Sequence, residues 1–138
     1  MRILFDTNVI LDVLLDREPT SRFSTRLMAR VELGELEGML AGTTVTTIFY
    51  LARKALGLEK ARHCITSLLS IFSTAPITHD VLTNACRLKI TDFEDAVLHE
   101  AGRLARVDGI VTRNTRDFSK ASLRIYTPAE LEALLSVV

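Results

Sequence analysis

The sequence lacks the features that mark several special classes of protein. It has two cysteines in 138 residues, Cys64 and Cys86, far apart and without a CxxC pair or paired histidines. We therefore interpret both as reduced core residues of a cytoplasmic protein, and we expect neither a disulfide bond nor a zinc site. The apolar runs are short and broken by charge, which excludes a transmembrane helix. Asp6, Asp12 and Asp16 likewise interrupt any apolar segment of the signal-peptide type at the N-terminus.

The sequence also has no excess of positive or negative charge. The chain has 17 Lys and Arg residues against 17 Asp and Glu residues, so its formal net charge is zero. A nucleic-acid coat protein would need a strong positive excess, and the balance argues against that class. It does not exclude a nuclease that reaches phosphate through a bound metal ion. No Gly-rich phosphate loop follows the first apolar run, which argues against other nucleotide-binding α/β domains.

What the sequence does contain is a regular alternation of short apolar runs with longer amphipathic stretches. Hydrophobic residues make up 48% of the chain, enough for a real core, and no linker, repeat or low-complexity tract divides it. This alternation is typical of a parallel α/β sheet, so we predict a single α/β domain spanning residues 1–138.

Capping patterns locate several of the predicted helices. Gly57 is well placed as a left-handed terminator, and the stretches TDFE (91–94) and TPAE (127–130) fit the capping box. Pro128 fits the first helical position of the closing helix. We predict strands at 2–6, 39–42, 76–77, 109–112 and 123–126, and helices at 11–15, 20–37, 44–56, 59–72, 78–88, 91–106 and from 127 onward.

Acidic residues follow the predicted strands at positions that should bring them together. Asp6 ends the first strand between two apolar runs, and burying a lone carboxylate costs several kcal/mol, roughly, unless it is paired. The loop 112–117, TRNTRD, follows the 109–112 strand in the equivalent way. Ligands of open parallel sheets bind beyond the carboxyl ends of the strands, so both groups should meet at one edge. Asp92 and Asp95, three residues apart, share one face in the first turn of a helix.

Carboxylates that converge on one cleft repel one another unless cations are bound. Mg²⁺ and Mn²⁺ prefer oxygen ligands and take a few carboxylates together with water and substrate phosphate. One or two such ions would activate a water and stabilise charge on a phosphodiester under in-line attack. The candidate catalytic residues are therefore Asp6, Asp92, Asp95 and Asp117, and the candidate metal ligands among them are Asp6, Asp95 and Asp117.

Plainer roles stay open for these acids. Asp6 is also a candidate N-cap for the following helix, and Asp92 a candidate partner of the helix dipole. Glu94 is expected to be the capping-box acid, while Asp12 and Asp117 also fit solvated or capping groups. The histidines show no ligand spacing and are expected at the surface or at helix ends: His63, His79 and His99.

Three blocks in this order, MRILFDTNVILDVLL, TDFEDAVL and GIVTRNTRDF, resemble the PIN-domain family, in particular its VapC-type toxins. The resemblance runs from Arg2 to the closing TPAEL segment. It implies a three-layer α/β/α sandwich around a parallel sheet of four to five strands, and an endoribonuclease that depends on Mg²⁺ or Mn²⁺. It also implies a small antitoxin that blocks the site, and commonly a homodimer. By position, Asp6 matches the family's first acidic residue and Asp95 its third.

The chain departs from the family pattern at two positions. Tyr50 stands where the family usually has the glutamate of a T-x-x-E pattern, and Asn114 stands where it has the aspartate of T-x-D. The Asn114 carbonyl oxygen still offers a ligand without the charge, and Asp92 and Asp117 would restore the count of acids. A related PIN branch shares the TRNxxDF pattern, so the departures do not by themselves predict an inactive enzyme.

Substrate contacts must come from local polar and basic groups, because the net charge supplies none. Arg113 and Arg116 flank the proposed site, Thr7 and Asn8 are placed to contact metal-bound water or phosphate, and Thr112 is placed to hold the loop. We therefore predict a metal-dependent endoribonuclease, the toxin of a toxin–antitoxin pair, with no membrane contact. The alternative is a PIN-like scaffold that binds RNA or protein without cutting. The supporting residues are Thr7, Asn8, Tyr50, Thr112, Arg113, Asn114 and Arg116.

Overall fold

In the computed structural model, which describes residues 1–137, a parallel sheet forms the centre of the molecule. Its strands are β1 (Arg2–Phe5), β2 (Glu37–Ala41), β3 (Ser73–Ala75), β4 (Gly109–Val111) and β5 (Ile125–Tyr126). They lie in the order β3-β2-β1-β4-β5, and all neighbouring strands are parallel. The first strand is thus the middle strand, which explains its uninterrupted apolar sequence, because helices cover both of its faces.

Helices cover the sheet on both sides. They are α1 (Thr7–Leu14), α2 (Ser21–Glu32), α3 (Gly42–Leu56), α4 (Leu58–Ile71), α5 (His79–Ala85), α6 (Phe93–Leu104) and α7 (Pro128–Ser136), with a short 3-10 helix (Thr115–Phe118) between β4 and β5. Ile3 and Phe5 of β1 pack into the core shared with α1–α4 and α7, and Leu4 packs into the core shared with α5 and α6. This alternation follows from the two-residue period of a strand. The predicted three-layer α/β/α sandwich is confirmed.

The two strand ends that matter for function lie at one edge of the sheet. Leu4 pairs with Ile110 and Phe5 pairs with Val111, so β1 and β4 end side by side. The backbone N–H of Asp6 then donates to the carbonyl oxygen of Val111 at 3.0 Å. Asp6 and the loop after β4 therefore leave the sheet together, as the sequence predicts.

Several predicted boundaries are wrong. The strand predicted at 76–77 lies at Ser73–Ala75, where it pairs with β2, because Pro76 has no N–H to continue the ladder. The helix predicted from residue 11 begins at Thr7, because the Asp6 side chain caps it. The helix predicted to reach residue 37 ends at Glu32, and residue 37 begins β2.

Helix caps agree with the sequence at two of three places. Thr127 and Glu130 form the predicted reciprocal capping box, with side-chain to backbone distances of 3.1 and 3.2 Å. Gly57 ends α3 with a φ of 90°, a value that favours glycine. The capping box predicted at 91–94 is wrong, since Asp92 caps α6 instead, its Oδ1 accepting the N–H of Asp95 at 3.1 Å.

Two burial expectations are also wrong. Cys86 is exposed and Cys64 is half-buried, and both are free thiols outside the core. His99 is buried, although His63 and His79 are exposed as expected. The Nε2 of His99 accepts the backbone N–H of Ser122 at 3.1 Å, so His99 is held by a tertiary contact that no local pattern indicates. Among residues 1–137, no helix has both the length and the apolar character needed to cross a membrane.

Candidate active site

Asp6 lies at the carboxyl end of the central strand and is almost completely buried. Its Oδ1 accepts the backbone N–H of Thr7 at 2.7 Å, and its Oδ2 accepts the hydroxyl of Thr112, also at 2.7 Å. Burial raises the pKa of this carboxyl, while the hydrogen bonds from Thr112 and Thr7 oppose the rise. Asp6 is therefore the helix cap that the sequence allowed, and its second oxygen is held in place by another segment of the chain.

Asp95 faces Asp6 from the first turn of α6. The two carboxylates line the same small cavity, together with Thr7 and Glu94. Partial burial raises the pKa of Asp95 to about 7, and the negative charge of Asp6 is the next cause. The structure thus brings together the two acids that match the family's acidic positions, and they repel each other across the cavity.

Asp92 and Asp117 lie beside this cavity without lining it. Both are exposed, and they border a neighbouring cavity of about 490 Å³ together with the basic residues Lys89, Arg116 and Lys120. Their charges nevertheless contribute to the raised pKa of Asp95. Asp92 is the N-cap of α6, a role that the sequence pattern assigned to Thr91, while a ligand role for Asp117 stays a prediction.

The donor set fits a hard divalent cation held by few protein ligands. Within residues 1–137, no three His, Cys, Asp or Glu side chains lie close enough together to enclose a metal ion by themselves. Mg²⁺ is commonly bound by one or two carboxylates, with water and substrate phosphate completing its shell. Asp6 and Asp95 supply that number of ligands, and their mutual repulsion is the electrostatic condition that a bound cation relieves.

Thr112 connects the site to the loop after β4, as predicted. Its buried hydroxyl donates to Asp6 and accepts the backbone N–H of Asn114 at 3.0 Å. Asn8 also holds this loop, since its Oδ1 accepts the N–H of Arg113 at 3.3 Å. The Asn114 carboxamide is exposed and makes no side-chain hydrogen bond within the described chain.

Arg113 is held in place by the buried carboxylate of Asp12, a residue whose sequence position fitted either a solvated or a capping group. Its Nε lies 3.1 Å from Oδ2 of Asp12, a residue of α1 with no exposed surface. The hydroxyl of Thr20 donates to the same Oδ2 at 2.8 Å. Asp12 is therefore neither solvated nor a cap, and it sets the direction of Arg113 instead.

Tyr50 is not gathered into the site. It is 57% exposed, and the Nζ of Lys54 lies 4.8 Å from the centroid of its ring. Tyr50 follows Thr43 by seven residues on α3, about 10 Å along the helix axis. Thr43 and Thr44, which do line the Asp6–Asp95 cavity, were missed, although they follow β2 as Asp6 follows β1. Glu94, which also lines this cavity, was interpreted only as a capping residue. Its position next to Asp95 in the sequence could have indicated that it belongs to the site.

The chain is similar to known proteins in sequence and in fold. A family model of the PIN domain matches residues 2–116. No curated protein matches the sequence. Among solved structures, FitAcB from Neisseria gonorrhoeae superposes with a TM-score of 0.72 at 20% identity, covering 92% of this chain and 98% of that chain. A toxin–antitoxin complex from Klebsiella pneumoniae gives 0.69 at 23% identity, covering 91% and 97%.

A third similar structure is VapC20 from Mycobacterium tuberculosis, described as a toxin that cleaves the sarcin–ricin loop. Its TM-score is 0.63 at 14% identity, covering 78% of this chain and 86% of that chain. At these identities the superpositions show a shared fold. The PIN-domain model, by contrast, spans most of the sequence, and the matched residues include Asp6 and Asp95. The chain therefore belongs to the PIN-domain family.

Proposed function

We propose that this protein is a Mg²⁺- or Mn²⁺-dependent endoribonuclease. The single observation that carries the proposal is the pair of carboxylates, Asp6 and Asp95, that face one cavity at the end of the central strand. The proposal is supported by membership of the PIN-domain family and by the similarity to VapC20, an RNA-cleaving toxin. The RNA substrate and the divalent cation are both part of this proposal, and the experiment below tests each of them.

When bound, the divalent ion would activate a water and neutralise charge on the phosphodiester. Asp6 and Asp95 would hold it, and the hydroxyl of Thr112 keeps the Asp6 carboxylate in a fixed orientation. Arg113, directed by Asp12, presents a cation beside the site for a phosphate of the RNA. Asp117 is proposed as a further ligand or water-orienting group when substrate is bound. Lys89, Arg116 and Lys120 offer positive charge along the neighbouring cavity.

We also propose that a small antitoxin protein covers this site. The support is indirect: the Klebsiella pneumoniae structure, which shares the fold, is described as a toxin–antitoxin complex. A cytoplasmic location fits this proposal. A homodimer, which the family resemblance implies, is proposed as well. In the apolar stretch 65–72 of the chain, Leu68 and Phe72 belong to the core and Leu69 is exposed. Light scattering at micromolar concentration tests the homodimer: a dimer mass is expected, and a monomer mass would reject it.

The decisive experiment compares wild type with Asp6→Asn on single-stranded RNA, with Mn²⁺ or with EDTA. We expect cleavage by wild type only with the metal, and a loss of about a hundredfold in rate with Asp6→Asn, the upper end of the effect of removing a group that orients a metal ligand. Asp80→Asn, an exposed change in the first turn of α5, is the matched control. Equal cleavage by wild type and Asp6→Asn would reject the proposal.

A second candidate function is a PIN-like scaffold that binds RNA without cutting it. It is favoured by the exposed Tyr50 and by the amide at Asn114, where the family usually has acids. The same experiment separates the two functions. RNA binding without turnover in Mn²⁺, and without Mn²⁺ binding in calorimetry, would favour the scaffold.

A further inference from the structure

A cavity of about 510 Å³ lies on the other side of the loop that follows β4. This volume is within the range of about 300–1,000 Å³ that small-ligand sites occupy. Its walls are mainly apolar, and we refer to it as the Phe23 pocket. The residues that define it are Pro19, Phe23, Pro128 and Ala129 as apolar walls, with Arg113 and Asn114 at the polar edge.

The loop after β4 connects the Phe23 pocket to the acidic site through hydrogen bonds. Arg113 and Asn114 border the pocket, and the backbone N–H of Asn114 donates to the Thr112 hydroxyl that itself donates to Asp6. A two-step chain of hydrogen bonds therefore connects the edge of the pocket to the proposed metal ligand. The segment 112–114 therefore contacts both the Asp6 carboxylate and the pocket.

Three arginines lie at the Phe23 pocket or beside its aromatic wall, although the chain as a whole is neutral. The Cζ atoms of Arg22 and Arg26 lie 5.4 and 5.9 Å from the centroid of the Phe23 ring. Arg113 adds a third guanidinium, which Asp12 holds at the polar edge through the 3.1 Å ion pair. An apolar cavity with cations around it is complementary to a flat apolar group that carries phosphates on either side.

The polar edge of the pocket offers a hydrogen-bonding group without a partner. Asn114 has an exposed carboxamide with no side-chain hydrogen bond in the part of the chain that the structure describes. A carboxamide presents one donor side and one acceptor side, the combination that pairs with the edge of a base. Single-stranded RNA is commonly recognised through unstacked bases that pack on aromatic side chains and bond through their edges.

We propose that the Phe23 pocket binds one unpaired nucleobase of the RNA, next to the phosphate that is cleaved. Phe23 and the prolines contact the faces of the base, Asn114 contacts its edge, and the three arginines contact the flanking phosphates. This inference rests on the proposed function for its substrate class, and it assigns a specificity-determining site to that substrate.

The test measures binding of short fluorescein-labelled oligo(A), oligo(C) and oligo(U) by anisotropy, with Asp95→Asn in EDTA so that no cleavage occurs. Adding Phe23→Ala should raise the Kd roughly tenfold for the preferred base, the usual effect of losing one base–aromatic contact. Phe23→Tyr, which keeps the ring, should restore binding. Phe49→Ala, a half-buried phenylalanine of α3 outside the pocket, controls for a general loss of packing.

Two further measurements identify the contact. A strand of the same length without bases should bind the Asp95→Asn protein and its Phe23→Ala derivative equally, because only the phosphates remain. Asn114→Ala should reduce the preference among the three oligonucleotides more than the overall affinity. Equal affinity with and without Phe23→Ala for every oligonucleotide would overturn the inference and leave a protein partner as the occupant of the pocket.

The outcome is independent of the nuclease test. If the wild-type protein fails to cleave RNA in Mn²⁺ while binding still depends on Phe23, the proposed function fails and the base site stands. If wild type cleaves RNA and neither affinity nor the cleavage position depends on Phe23, the nuclease stands and the base site fails.

Discussion

Arg113 and Asp12 form an ion pair across 101 residues of sequence, with Nε 3.1 Å from Oδ2. Asp12 is completely buried in α1, whereas Arg113 stands in the loop after β4 and is partly exposed. The hydroxyl of Thr20 completes the contact with Oδ2, while Oδ1 has no hydrogen-bond partner in residues 1–137. A buried carboxylate therefore joins three segments that meet between the acidic site and the Phe23 pocket.

Breaking this pair should weaken both the fold and the site. Asp12→Ala removes the anchor of Arg113 and of Thr20, and we expect a loss of about 2 kcal/mol in the free energy of unfolding. RNA affinity should fall as well, because Arg113 no longer has a fixed direction. Urea denaturation and anisotropy measure the two effects. Asp80→Ala, an exposed aspartate of α5, should change neither by much, and a similar small effect from Asp12→Ala would contradict this account.

Metal affinity should depend on pH near neutrality. The pKa of Asp95 is raised to about 7, by burial first and then by the charge of Asp6, so below pH 7 a cation must displace a proton from this carboxyl. Between pH 6 and pH 8 we expect the apparent Kd for Mn²⁺ to fall about tenfold, the change in the deprotonated fraction of a group with that pKa. Calorimetry at both pH values measures it.

The matched control for metal binding is Asp95→Asn. It should bind Mn²⁺ weakly with little dependence on pH, because the titrating ligand is gone. If wild type showed no pH dependence in this range, Asp95 would not be the ligand whose proton is displaced.

The same carboxyl should make the metal-free protein less stable as the pH rises. The folded pKa of Asp95 lies above its ordinary value of 3.8, so the folded state holds more protons than the unfolded state between about pH 4 and 7. Its contribution to stability is present below pH 4 and is lost as the pH rises through 7. Asp95 is only half-buried, so solvent screening reduces the effect, and we expect about 1 kcal/mol.

Unfolding in EDTA at pH 4.5 and pH 8 tests this sign. Asp95→Asn should be more stable than wild type at pH 8, and the difference should be smaller at pH 4.5. A variant that is less stable than wild type at pH 8 would show that the charge of Asp95 is compensated in the folded chain.

Local patterns predicted the parts of this protein that local physics determines. Asp6 was found because a carboxylate between two apolar runs needs a partner, and the box at 127–130 was found because its two hydrogen bonds join residues three apart. β3 was misplaced because Ser73 and Thr74 carry no apolar signal, and only pairing with β2 makes them a strand. His99 was misplaced for a similar reason, since Ser122, its partner, is distant in sequence.

The parts of the site that were missed depend on contacts between distant segments. The Asp12–Arg113 pair and the Phe23 pocket each join the start of the chain to its last third, and neither has a spacing that a sequence pattern reveals. The acids proposed to bind the metal were easier to predict, because ligands of parallel sheets lie beyond the carboxyl ends of the strands and those ends can be located in the sequence.

Substitutions of Thr112 test whether the site depends on the hydrogen bonds of its hydroxyl group. Its hydroxyl donates to Asp6 at 2.7 Å and accepts the N–H of Asn114, so Thr112→Val removes both bonds while keeping the volume. Leaving these buried groups unpaired should cost about 1–3 kcal/mol, and the pKa of Asp6 should rise further because an opposing hydrogen bond is lost. We therefore expect weaker Mn²⁺ binding and slower RNA cleavage. Thr112→Ser keeps the hydroxyl and should retain most of both. A Thr112→Val protein that binds Mn²⁺ and cleaves RNA as well as wild type, beside a Thr112→Ser protein that does not, would show that the site requires the methyl group and not the hydrogen bonds.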